Sequence, residues 1–158
     1  ASSTNRAVFL VMALFALLLT VKFFPGFEQS HPYSGNAFQV IHPDAFAGDH
    51  HAATLTLEGL STGMDRRLGW AGQVFFYMPL MHAEDAELQD RAVACYQDLH
   101  ARVPAALKDD IANNLKFAEE HRDIIQRFGR FPHRNRVLER TDSAEELDFL
   151  QHARRYGQ

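Results

Sequence analysis

The run from Ala7 to Phe24, AVFLVMALFALLLTVKFF, constrains the fold more than any other stretch, because it offers water no polar face. Only Thr20 and Lys22 interrupt its apolar character. A helix of this kind must be enclosed on all sides by protein or by lipid. Its eighteen residues would rise about 27 Å, close to the roughly 30 Å hydrocarbon core of a bilayer. Asn5 or Thr4 can cap its start, and Pro25-Gly26 ends it. Lys22 sits where its stem can snorkel to headgroups, while Arg6 at the other end leaves orientation open. The expectation is a single transmembrane anchor, with Phe9, Leu10, Met12, Leu14, Phe15, Leu17, Leu18, Leu19 and Val21 as its membrane-anchoring residues. A helix buried within a bundle is the main alternative. A cleavable signal peptide is the weaker one, because no small-x-small site follows Lys22.

Residues 26–44, GFEQSHPYSGNAFQVIHPD, are punctuated by Pro, Gly, Ser and Asn and read as a connecting arm. This divides the chain into a hydrophobic helix over 1–25, an ordered arm over 26–44 and a domain over 45–158. His31, His42, His50 and His51 cluster in sequence. None forms the i, i+4 pair of a zinc-peptidase helix, and His50 and His51 point to different sides of any helix. No metal site and no cofactor are expected.

From Asp49 onward the apolar positions recur at helical spacing. A helix is expected from Asp49 to Thr62, with Gly63 as its cap. Leu68 to Leu80 is almost entirely apolar and should be the central core helix, interrupted near Pro79. Glu84 to Arg102 carries Leu88, Ala92, Cys95, Tyr96 and Leu99 on one stripe. The longest helix should run from Pro104 to Phe128 before Gly129, with Leu107, Ile111, Leu115, Ala118 and Ile125 inward and His121 on the apolar side. Beyond a loop over Gly129–Asn135 and a turn around Arg136–Arg140, Ser143 and Glu146 form a capping box that opens a last helix. Short connections imply antiparallel hairpins, so the fold class is all-α.

Charge and cysteine usage narrow the functions. A net charge of −4 argues against a nucleic-acid partner. Cys95 is the single cysteine, which excludes an internal disulfide and a thiolate zinc cluster. On its helical stripe it reads as a small buried hydrophobe rather than a nucleophile.

One segment is dense in chemistry. HRDIIQRFGRFPHRNR, from His121 to Arg136, holds five arginines and two histidines around a Gly–Phe–Pro loop. Guanidinium groups there can clamp a carboxylate or phosphate, or pair with acids of the same domain. Glu84, Asp85 and Glu87, which follow His82 in MHAEDAELQDR, are the expected internal partners. The candidate ligand cluster is His82, Glu84, Asp85, His121, Arg130, His133 and Arg134, and no residue is assigned a catalytic role.

Two long blocks, FFYMPLMHAEDAELQDRAVACY and FAEEHRDIIQRFGRFPHRNRVLERTDSAEELDFL, resemble the signature blocks of the family known as domain of unknown function 924. The likeness spans about residues 45–158. It implies a tetratricopeptide-like arrangement of helical hairpins and no activity, since the family has none established. The family's polar motif positions fall on His82, Glu84, Asp85, His121, Arg122, Asp123, Arg127, Arg130, His133, Arg134 and Asn135. The amino-terminal part departs from the pattern. Where the family's helix typically ends Leu-Asp-Gln-Phe-Pro-Arg-Asn, this chain reads Leu19-Thr20-Val21-Lys22-Phe23-Phe24-Pro25-Gly26.

These readings together give three expectations for function. The first is a non-catalytic accessory subunit of a membrane protein complex, with other subunits and the bilayer as partners. The second is a cytoplasmic small-anion binder or enzyme that uses the His/Arg/Asp cluster. The third is a tetratricopeptide-like peptide-binding module. One geometric test separates the first two: a ligand site leaves its donors open, whereas an internal network consumes them.

Overall fold

The structure is a computed structural model that describes Phe46 and residues 48–152. Five α-helices follow in order: α1 (Asp49–Ser61), α2 (Trp70–Met81), α3 (Ala86–Arg102), α4 (Lys108–Phe128) and α5 (Ala144–His152). Short 3-10 turns at Asp65–Arg67, Ala105–Leu107 and Pro132–Arg134 lie between them, and there is no strand among the described residues. The all-α expectation is met.

The interior is built around α2, which packs on α1, α3 and α4. Hydrogen bonds fix the direction of the α2–α3 pair. Gln89 donates from Nε2 to the Met81 carbonyl at 2.6 Å, Tyr96 from its hydroxyl to the Val74 carbonyl at 2.8 Å, and Arg102 from Nη2 to Gln73 Oε1 at 2.8 Å. Rising numbers on α3 meet falling numbers on α2, so the two helices are antiparallel. Tyr77 and Tyr96 meet edge to face with ring centroids 5.7 Å apart, the favoured geometry for two ring quadrupoles. Leu80, Leu99, Ala92 and Ala118 fill the space around them and are fully buried.

Local chemistry explains most helix ends. Gly63 and Gly129 take positive φ values of 65° and 70°, the left-handed conformation in which a side chain is strained. Asp85 caps α3 by accepting the Leu88 N–H on its Oδ1 at 2.9 Å. At α5, Ser143 Oγ accepts the Glu146 N–H and Glu146 Oε2 accepts the Ser143 N–H, which completes the expected capping box.

Three expectations are corrected. Pro79 does not interrupt α2, which runs on to Met81. The proline forfeits its own N–H bond within the last turn, and its ring is buried in the core. The longest helix starts at Lys108 rather than Pro104, because Ala105–Leu107 form a 3-10 turn. The third correction concerns the membrane. No helix among the described residues is long and apolar enough to cross a bilayer. The apolar α2 has only 12 residues, a rise of about 18 Å. The 21-residue α4 reaches far enough but carries charge along its length, including Lys108, Asp109, Asp110, Lys116, Glu119 and Glu120. The anchor expected at residues 7–24, with Phe9 to Val21, and the arm over 26–44 lie outside the described residues.

Candidate functional site

The two polar segments meet where the end of α2 lies beside the last turns of α4. His82, the residue closing α2, places its ring 5.8 Å from that of His121 on α4. The loop that follows α4 then folds back over this junction. Phe131 sets its ring edge against His121 at 5.5 Å, and the Arg134 guanidinium lies over Phe131 at 4.8 Å and over Phe46 at 4.4 Å. Six of the seven candidate ligand residues, His82, Glu84, His121, Arg130, His133 and Arg134, lie at this junction or in the loop and short helix that close over it. Asp85 is spent on the cap of α3.

Each charged group in the cluster has a partner of its own. Glu84 takes the Phe131 N–H at 2.9 Å and Arg140 on both oxygens, at 3.0 and 2.8 Å. Burial pushes its carboxyl upward, but the bonds from Arg140 and Phe131 and the charge of Arg134 outweigh it and hold the group below the ordinary range. Arg134 donates from Nη1 to Asp49 Oδ2 and from Nη2 to the His82 carbonyl, both at 3.0 Å. It ties the start of α1 to the end of α2. Burial is the larger influence on this guanidinium and lowers its pKa, against the pull of Asp49 and Glu84.

Arg130 forms a fork with Glu146, Nε to Oε1 at 2.7 Å and Nη2 to Oε2 at 2.8 Å, and also reaches the Thr141 carbonyl. Bidentate pairing of this kind is the strongest geometry available to a carboxylate and a guanidinium. The Arg130 bond is the main reason that the Glu146 carboxyl is held down at about 2. Nearby, Arg127 pairs with Glu145 at 2.8 Å, and Phe128 meets Phe149 with centroids 5.0 Å apart. Together these contacts fasten α5 to the end of α4.

Two of the cluster's histidines sit below the ordinary imidazole range. Burial is the first cause of the lowered pKa of both His121 and His133. His121 Nδ1 lies 2.7 Å from the Phe117 carbonyl, one turn back on α4. His133 rests on Phe149 with ring centroids 5.6 Å apart, and its Nε2 is buried without a hydrogen-bond partner, as is Arg122 Nε. Asn135, fully buried, donates to Asp142 Oδ1 at 2.6 Å.

The expected internal acids are thus partly corrected. Glu84 pairs with an arginine, but Asp85 is a cap, and Asp49, Glu145 and Glu146 supply the other carboxylates. Asp49 and Glu146 read in sequence only as helix-start residues, and Arg140 as part of a turn. Nothing in their spacing shows that each reaches across the fold. No group of three or more histidine, cysteine or acidic side chains among the described residues could hold a metal ion.

Residues 34–154 match the family described as bacterial proteins of unknown function, DUF924. The chain belongs to this family. A solved structure from Agrobacterium tumefaciens, described as a protein of unknown function, ATU0120, is 33% identical. The match covers 94% of this chain and 75% of that one, with a TM-score of 0.63. No curated protein matches. The signature blocks of DUF924 therefore coincide, in this member, with the end of α2 and with the segment that closes over it.

Proposed function

We propose that this DUF924 chain is a non-catalytic accessory module that works within a larger protein assembly, and that its His/Arg/Glu cluster is a structural clasp. One observation carries the reading: the cluster's ionic groups are engaged by groups of the same chain. Glu84 is spent on Arg140 and the Phe131 N–H, Arg134 on Asp49 and the His82 carbonyl, and Arg130 on Glu146. An anionic substrate would have to displace a bidentate carboxylate to reach Arg130. Breaking a desolvated pair also leaves an uncompensated charge behind. The tetratricopeptide-like arrangement forms part of this reading. It is supported by the antiparallel α2–α3 pair and by α3 packing in turn on α4. Phe75 and Phe117 support an assembly role, since both are large apolar side chains more than two fifths exposed, at 42% and 43%.

A second reading, a small-anion binder, draws on the unpartnered His133 Nε2 and Arg122 Nε. Nitrogen NMR of the histidine rings separates the two during titration with phosphate and acetate. The clasp predicts no saturable shift of the His121 or His133 signals. Saturable shifts in both, abolished by Arg130→Gln, would overturn it in favour of the anion binder.

A further inference from the structure

A second constellation lies away from the clasp, where the end of α1, the Asp65–Arg67 turn, α2 and α3 enclose a cleft of about 220 Å³. Arg91, Ala94, Cys95 and Asp98 line it from α3, at the spacing that puts four residues on one helix face. Leu60 adds an apolar wall, and Asp65, only 4% exposed, lines the cleft as well. Both contacts that fix the Asp65 carboxylate fall on Oδ2: the Tyr77 hydroxyl at 2.7 Å and Arg66 Nε at 3.4 Å. Oδ1 is left as the acceptor. Burial, with the neighbouring Asp65 carboxylate, keeps the Tyr77 phenol protonated, so it stays a donor to this acid.

The positive charges are divided unequally. Arg66 is committed to Asp98 through Nη2 at 2.7 Å, and Arg102 shares the same oxygen at 2.9 Å. Arg91 lines the cleft and takes no partner among the described residues. The cleft therefore offers one unmatched cation, one unmatched carboxylate oxygen and an apolar wall. A simple anion would meet Asp65 and a simple cation would meet Arg91. A ligand carrying an ammonium and a carboxylate on one carbon satisfies each.

We propose that this cleft binds a free α-amino acid with a small aliphatic side chain, its ammonium on Asp65 Oδ1, its carboxylate on Arg91 and its side chain against Leu60 and Cys95. The site shares no residue with the clasp, so either reading can fail without the other. Calorimetric titration of the full chain with L-leucine tests it, beside 4-methylpentanoate, which lacks the ammonium, and isopentylamine, which lacks the carboxylate. Leucine is expected to bind at one site, with both analogues weaker by roughly tenfold or more. Arg91→Gln, at an exposed and unpaired position, should bring leucine down to the level of the amine and leave the amine unchanged. Cys95, the sole cysteine, gives an independent readout: leucine should slow its alkylation by iodoacetamide in the parent chain and not in Arg91→Gln. Absence of leucine binding, equal binding of either analogue, or leucine affinity untouched by Arg91→Gln each overturns the proposal.

Discussion

Glu146 joins two jobs in one carboxylate: it completes the capping box of α5 with Ser143 and receives the Arg130 fork. Its pKa of about 2 lies below the ordinary 4.5, so the native state binds fewer protons than the unfolded chain between those values. That contribution to stability is complete above about pH 4.5 and is lost as pH falls toward 2. His121 and His133 act in the same direction at higher pH. Their folded pKa values lie below the ordinary 6.5, so their contribution is present above it and lost on acidification through the folded values. Thermal melts across pH should show two descending steps on acidification, one beginning near 6.5 and one near 4.5. Glu146→Gln should lower Tm at neutral pH and shrink the lower step, leaving the share that Glu84 contributes. A stability profile flat from neutrality to pH 3 would contradict the burial of these histidines and the pairing of Glu146.

At the scale of elements, two contacts decide how the helices seat. Gly59 lets α1 approach α2 so closely that a Cβ there would stand 2.4 Å from Phe76 Cζ. Phe76 is itself buried, so the ring has little room to retreat. Gly59→Ala should destabilise the fold by about 1–3 kcal/mol in denaturant melts, and pairing it with Phe76→Leu should recover part of the loss. A neutral Gly59→Ala would mean that α1 sits elsewhere. The cap of α3 is the second contact. Asp85→Ala should cost about 1 kcal/mol, while Asp85→Asn or Asp85→Ser should cost much less. A loss under Asp85→Asn as large as under Asp85→Ala would show a role for the charge beyond capping.

These elements also show what a sequence can and cannot reveal. Periodicity placed α1, α3 and the body of α4, and Ser143 with Glu146 marked the start of α5, because those signals are local and repeat every turn. Pro79 misled, since a proline forfeits its own N–H bond and crowds the carbonyl four residues back without always ending the helix, and here its ring is buried in the core. The cluster was legible as residue types but not as pairings. Glu84 meets Arg140 across 56 positions and Arg134 meets Asp49 across 85, distances in sequence that no spacing rule spans. Asp85, a candidate both for the ligand cluster and for an internal ion pair, caps α3, because capping, pairing and ligand binding all call on the same carboxylate chemistry.

For the molecule as a whole, the clasp is what closes the arrangement. Arg134 ties α1 to α2, Glu84 ties the end of α2 to the segment after α4, and Arg130 ties that segment to α5. Elements far apart in the chain are thereby held by a few charge-assisted hydrogen bonds beside a modest apolar core. The coupling between Glu84 and Arg140 tests this most directly, since both side chains are less than a third exposed and meet through two close contacts. In a double-mutant cycle of Glu84→Gln and Arg140→Gln, followed by chemical denaturation, the clasp predicts a stabilising coupling of about 1–3 kcal/mol. A coupling indistinguishable from zero, with each single variant as stable as the parent, would contradict it.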